Sequence, residues 1–471
     1  MRPFKYVKLI SLICAAVFFT NGCLGDTDGI DPPDDQFVFP VALSTVHDDS
    51  HLLVVNSNFD LRYNAGTLVA YSLDKLDSVA GAPLSYNPGN GTFSLPPGVG
   101  LKRFCSGGRT TQYCNLNPSE GIIKNETIRL GAYASTIDIT PDKDRALIPV
   151  RGERAIVVVD LNDGADVMDC GEKKSDDQHC DSAHMITDNS IATMPKEPYD
   201  VKTMNYFYDD QMVTLGFASH RDRGEVSLFS VSGQRSVGNN NLIKVIGGVI
   251  QGASGLAVNP HNQDILLVGQ RDTAPHVAVL DVQTDLRDDG SYYSDPSFGQ
   301  SKTINLSTDY NLGYGAALRD VTVSPDGKTG FVISQRPPML LKLDLERYEV
   351  TDSITICREA AKVKTYVDEG DPENQLDDKL YAYVACFLTG QVYIVDADYM
   401  VPVIRKTGVG SQDIAFDAKR KIAYIANFSE STISMIQTEA PFNLVYVKNN
   451  GATDDQALIL RIGVPNSAEG N

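Results

Sequence analysis

Short apolar runs alternate with turn residues along this chain in a pattern that returns seven times, at residues 52–73, 137–161, 212–231, 256–282, 321–345, 380–397 and 414–436. The cleanest copies read IDITPDKDRALIPVRGERAIVVVD, LAVNPHNQDILLVGQRDTAPHVAVLD and VTVSPDGKTGFVISQRPPMLLKLD. Each opens with a strand of small or branched residues, such as Ile137-Asp138-Ile139 or Leu256-Ala257-Val258. A Pro, Asp, Asn or Gly turn follows, then a second strand (146–150 in one copy), a short loop, and a third strand (156–160). Alternation with a period of two, bounded by turn chemistry, is the signal of a strand. Pro141, Pro260 and Pro325 fall just after the first strand, where a missing amide donor costs little. More variable stretches such as 244–246 and 302–306 supply a fourth strand.

Recurrent units of this size predict an array of small sheets. Four-stranded antiparallel sheets set around an axis bury both faces against their neighbours and leave edges only at the rim. The expected fold is therefore all-β, a seven-bladed β-propeller of four-stranded antiparallel blades over residues 36–464, with a short C-terminal tail, 465–471. Residues 444–447 or 458–462 could complete the last blade, and residues 36–43 could pair with an end blade to close the ring. An open solenoid is the alternative geometry. Inserts interrupt the repeat at 75–130, 163–198, 283–313 and 361–379, the last carrying the acidic run VDEGDPENQLDD. Loops on a rigid scaffold are where recognition chemistry usually sits.

The segments VSPDGKTGFV, IAFDAKRKIAYIANFSESTISMI and YAYVACFLTGQVYIVDA resemble the surface-protein propeller repeats known by their Tyr-Val-Thr-Asn consensus, a WD40-like class akin to lactonase-like and quinoprotein-like propellers. The consensus element stands here as Tyr424-Ile425-Ala426-Asn427, Tyr383-Val384-Ala385-Cys386 and Val54-Val55-Asn56. The resemblance implies architecture rather than activity, since one fold hosts many functions.

The N-terminus carries Arg2, Lys5 and Lys8 before an apolar run, 9–20, that is short for a membrane span and ends at Thr20-Asn21-Gly22-Cys23. This resembles a bacterial lipoprotein signal, with Thr20 in place of the usual aliphatic residue. The resemblance implies a signal peptide over residues 1–22 and a lipidated, palmitate-bearing Cys23. Leu24 after it argues, by similarity to enteric lipoproteins, for the outer membrane, with the body facing the periplasm or the cell exterior. Residues 23–35, rich in Asp, Gly and Pro, have too little apolar content to order themselves and read as a flexible acidic tether. The DTDGID run there lacks the length and closing Glu of a calcium loop.

The formal charge is −20 over 471 residues. Loss of residues 1–22, which hold three basic and no acidic side chains, makes the exported chain more acidic still. Such a field disfavours nucleic acid as a partner, although a local basic patch can survive within it. Beyond Cys14 and Cys23, six cysteines lie in the body. Their grouping favours the pairs Cys105–Cys114, Cys170–Cys180 and Cys357–Cys386, the first two closing insertions. His179 beside Cys170 and Cys180 gives three obvious zinc ligands where four are needed.

Arginine recurs in the connection between the second and third strands, as Arg62, Arg151, Arg221, Arg271 and Arg336. Phe387 and Phe428 take that place in the last two copies. In a closed propeller equivalent loops emerge on one face, so these residues form a basic and partly aromatic crescent. Arginine pairs with carboxylates and phosphates through its donor fork, and Phe adds apolar contact. The same arginines could instead brace blades against Asp60, Glu153, Asp222, Glu225 or Asp272. Catalytic signals are poor: the histidines lack metal-ligand spacing, and no nucleophile elbow, phosphate loop or dinucleotide fingerprint is present. Asp200, Asp320 and Asp413 precede first strands and could hold a divalent cation in the channel. The leading expectation is a noncatalytic, cofactor-free, lipid-anchored envelope protein that binds or scaffolds a protein, peptide or glycan partner through the arginine face. The alternative is a metal-dependent, lactonase-like hydrolase using the channel; a quinone-dependent oxidoreductase is a more distant one.

Overall fold

The computed structural model describes residues 29–463 apart from 81–85, 88–91, 94–102, 108–111, 124–125, 164–165, 172–178, 209–210, 232–239, 270–274, 284–296, 307–311, 313–315, 371–376, 445 and 448–457. Seven antiparallel sheets follow one another along the chain. Their innermost strands are Pro40–Val46, Asp138–Ile139, Pro198–Tyr208, Ala253–Val258, Ala317–Val323, Ala360–Asp368 and Ser411–Asp417, and blades 1 to 7 are numbered in that order. The fourth strands expected at 244–246 and 302–306 are observed as Asn241–Ile246 and Ser297–Asn305, the second ending one residue earlier than expected.

Period-two alternation explains why the sheets stack into a ring. In the second strand of blade 1, His51–Asn56, Leu52 and Val54 pack with Ala415, Tyr424 and Met435 of blade 7. Leu53 and Val55 of the same strand pack with Ala146, Val157 and Val159 of blade 2. The other five interfaces are built likewise, each a separate apolar cluster between successive blades. A central strand is therefore buried on both faces, as in Gly66–Ser72, where every residue is buried. Because blade 7 packs on blade 1, the ring is closed and the open solenoid does not form.

The manner of closure differs from the sequence expectation. Residues 40–43 do pair with an end blade, but as part of Pro40–Val46, the innermost strand of blade 1 itself, so they do not close the ring; blade 1 finishes with Ile128–Leu130 after a long insertion. Leu458–Ile462 completes blade 7 against Thr432–Gln437. Two strands from the blade 1 insertion then extend that sheet, Gln112–Leu116 lying parallel to Leu458–Ile462 and Thr92–Phe93 parallel to Tyr446–Val447. The first blade thus latches the last by strand addition, which satisfies an edge that would otherwise be open.

Cys170–Cys180 closes the insertion after the third strand of blade 2. Cys357–Cys386 ties the entry of blade 6 to the end of its second strand, inside the blade 5–6 core. Cys105 and Cys114 are register partners across a hairpin; their side chains lie outside the described residues. Cys23 and the signal segment also lie outside them.

Candidate binding site at the channel mouth

In every blade the innermost strand bulges by one residue near its first end; in blade 5 an opposite slip between Ala317 and Leu318 gives the second strand an extra residue as well. The register slips between Pro40 and Ala42, Pro198 and Asp200, Ala253 and Leu256, Leu318 and Asp320, Ala360 and Lys362, and Ser411 and Asp413. In blade 2, Ala134 bridges Val150 while Asp138 pairs with Leu147, again leaving one residue over. A bulge re-aims the extra side chain. Here Val41, Tyr199, Arg319 and Gln412 are aimed into a cavity of about 400 Å³ at the mouth of the channel. Loops between second and third strands complete its wall with Phe59, Arg151, Arg221, Phe387 and Phe428.

The mouth is cationic and aromatic. Two guanidinium groups approach the ring of Tyr199, Arg221 at 4.7 Å and Arg319 at 4.9 Å from its centre. Arg151 stands 5.8 Å from the Tyr133 ring and forms a 3.5 Å ion pair with half-exposed Glu197. Phe428 contacts Phe59 at 5.6 Å and Phe387 at 5.8 Å between centroids, forming an aromatic arc opposite the arginines. Burial pulls Arg221 below its ordinary value, and the neighbouring Arg319 and Arg151 charges pull the same way. Like charges gathered in a partly desolvated cavity favour an incoming anion, which Arg can meet with paired donors. A second cavity, about 310 Å³, adjoins the first and shares Arg221, Arg319, Phe387 and Gln412, adding Gln335 and Glu359.

Of the crescent expected from the sequence, the structure brings Arg151, Arg221, Phe387 and Phe428 together at this mouth. Arg62 is exposed and pairs at 3.3 Å with Asp60 of its own loop. Arg336 is exposed at the end of its strand and lines neither cavity. Arg271 lies outside the described residues. Sequence reasoning missed Arg319, Tyr199 and Gln412. Their signal was position: each immediately precedes one of the recurring aspartates.

Those aspartates serve the frame. Asp138 accepts from the Thr203 amide at 2.8 Å, Asp200 from Leu256 at 3.0 Å, Asp320 from Val363 at 2.8 Å and Asp413 from Leu43 at 2.8 Å. Every one of these bonds joins a blade to the next, and the last crosses the closure of the ring. The second oxygens of Asp138, Asp320 and Asp413, and the same Oδ2 of Asp200 that accepts from Leu256, meet lysines that the sequence reading did not single out. Lys362 lies 3.2 Å from Asp200 and 3.0 Å from Asp320; Lys364 lies 3.0 Å from Asp413, and Lys202 2.8 Å from Asp138. Burial opposes charge on Lys362, but the carboxylates of Asp200, Asp320 and Asp413 outweigh it and hold the ammonium well above its ordinary value. The channel carboxylates considered as cation ligands are thus already paired with built-in ammonium groups, Asp200 and Asp320 sharing that of Lys362. Among the described residues no group of three or more His, Cys, Asp or Glu side chains is arranged to hold a metal ion.

On the opposite face a groove between blades 4 and 5 is lined by turn residues bonded to one another, Asn259 donating to Gly327 O at 2.7 Å and Tyr348 to Asp264 at 2.5 Å. The side chains of Asn259, Asn262, Asp326 and Tyr348 there are bonded to the turns.

Fold and mouth together define a seven-bladed propeller with an arginine-rich, aromatic channel entrance. No known family's profile matches the sequence, and no curated protein does. Among solved structures, the chain is similar to hydrazine synthase of Kuenenia stuttgartiensis, at 11% identity over 88% of this chain and 99% of that one, with a TM-score of 0.49. It is similar at 11% identity to Chaetomium thermophilum Sqt1 bound to the N-terminus of ribosomal protein L10, over 88% of each chain, with a TM-score of 0.49. A putative 6-phosphogluconolactonase from Bacteroides fragilis matches at 12% identity over 79% of this chain and 86% of that one, with a TM-score of 0.45. Similarity this distant carries no argument about function.

Proposed function

We propose that this protein is an exported, lipid-anchored binding or scaffold propeller that receives an anionic group of an envelope partner at its channel mouth. The observation that carries this reading is the convergence of Arg151, Arg221 and Arg319 with Tyr199, Phe387 and Phe428 on one cavity. Arginine forks supply charge and direction, and the aromatic arc supplies contact area at low entropic cost. The lipid on Cys23 would keep the body at the membrane and leave the ring to present its face. Catalysis in the channel has little to work with, because its carboxylates are already committed to lysines and to neighbouring strands.

The test is retention of the purified exported chain on cross-linked envelope fractions. The Arg151→Ala/Arg221→Ala/Arg319→Ala variant should lose most of that retention while keeping its circular dichroism spectrum. Unchanged retention would remove the mouth from the account.

A further inference from the structure

The chain enters the propeller on the face that carries the mouth. Ile30 bridges Tyr63 in the loop between the second and third strands of blade 1, and the Asn64 amide donates to Ile30 O at 3.0 Å. From Cys23 to Gly29 is six residues, a reach of at most about 20 Å when fully extended. The strand Pro40–Val46 is seven residues long, six steps of roughly 3.3 Å that already match that reach, and the loops at both its ends thicken the disc beyond it. A lipid on Cys23 therefore holds the mouth face, and not its opposite, next to the bilayer.

That face is also apolar where it is most exposed. Ile30, Phe59, Leu61, Leu388 and Val409 are each more than half exposed. All sit on loops between second and third strands, on the connector into blade 7, or on the lead-in to blade 1. They surround a mouth lined by three arginines. Apolar side chains beside cationic groups suit the boundary between acyl chains and phosphate head groups. The formal charge of −20 repels the rest of the body from an anionic surface, so the cationic mouth selects which side approaches.

We propose that the mouth face docks on an anionic phospholipid bilayer, its arginines on head-group phosphates and its exposed apolar loops at the acyl boundary. This rests on the binding reading above and names the partner.

The chain contains no Trp, so single tryptophans report orientation without background. In the full exported chain with Cys23→Ser, Leu388→Trp should shift to shorter emission wavelength on phosphatidylglycerol vesicles and be quenched by brominated lipid. Tyr399→Trp, on an exposed turn of the opposite face, should do neither. Each of Arg151→Ala and Arg319→Ala should lower vesicle partitioning about fivefold, and inorganic phosphate should compete no better than chloride at equal ionic strength. Quenching at position 399, no quenching at 388, or partitioning that ignores the arginines overturns the docking. Displacement by inorganic phosphate alone overturns it in favour of a free phosphate ligand. Arginine-dependent retention on envelopes without vesicle binding leaves the binding reading standing and removes only this inference; loss of both removes both.

Discussion

Lys362 on the innermost strand of blade 6 reaches back to Asp320 of blade 5 with 3.0 Å between ammonium and carboxylate. The same ammonium lies 3.2 Å from Asp200, so one lysine serves two buried carboxylates from separate blades. Lys362→Met should destabilise the protein by about 3–5 kcal/mol, because it strands two buried charges rather than deleting a pair. Adding Asp320→Asn should recover part of the loss. Denaturant unfolding monitored by Tyr fluorescence measures both, and a neutral Lys362→Met would contradict the assignment.

His220 ends the second strand of blade 3, fully buried, with Nε2 2.7 Å from Ser227 Oγ. Burial pushes its pKa down to about 3. The unfolded chain therefore binds a proton near pH 6.5 that the folded chain refuses, and stability falls as pH drops from about 6.5 toward 3. At pH 5 the cost is about 2 kcal/mol from this residue alone. His184, held above its ordinary value chiefly by its hydrogen bond to Asp160, works in the opposite direction. The informative quantity is the difference in unfolding free energy between wild type and His220→Gln, measured at pH 7.5 and pH 5. That difference should narrow on acidification; a constant gap would show that His220 does not titrate as described.

Cys357 and Cys386 are 29 residues apart and sit in a core, whereas Cys170 and Cys180 are 10 apart at an insertion. In the chain-entropy account the longer loop is worth about 1 kcal/mol more. Paired Cys→Ala substitution should follow that order in denaturant midpoints, with the core pair costing about 3–4 kcal/mol. The reverse order would mean that strain or residual structure in the unfolded chain dominates.

Tyr199 contacts the like-charged guanidinium groups of both Arg221 and Arg319. Tyr199→Leu keeps the volume roughly but removes the ring face, so each contact loses about 0.5–2 kcal/mol. Envelope retention should fall several-fold while Tyr199→Phe stays near wild type. Equal loss in the Phe variant would point to the hydroxyl instead.

The strands were legible because a propeller buries both faces of every central strand, and the sequence must then alternate contacts with two neighbours, as Leu52/Val54 and Leu53/Val55 do. Ring closure was not legible. The fourth strand of blade 1 is only Ile128–Leu130, beyond a long insertion, and the latch to blade 7 is a parallel pairing between segments more than 300 residues apart. Loop arginines 151 and 221 could be placed on one face from the repeat alone. Arg319 and Tyr199 could not, because a bulge shifts them out of the alternation that made the rest readable. The aspartates of the innermost strands were visible, but each meets a lysine of another blade, Asp138 with Lys202, Asp200 and Asp320 with Lys362, Asp413 with Lys364, and only the closed ring brings them together.

The most direct test of the mouth as the working surface is hydrogen exchange on the exported chain, free and bound to envelope membranes. Protection should rise in the mouth loops, residues 57–63 and 387–390, and stay unchanged in the opposite-face turn 397–400. Protection confined to the opposite face, or none in the mouth loops of membrane-bound protein, would contradict the account.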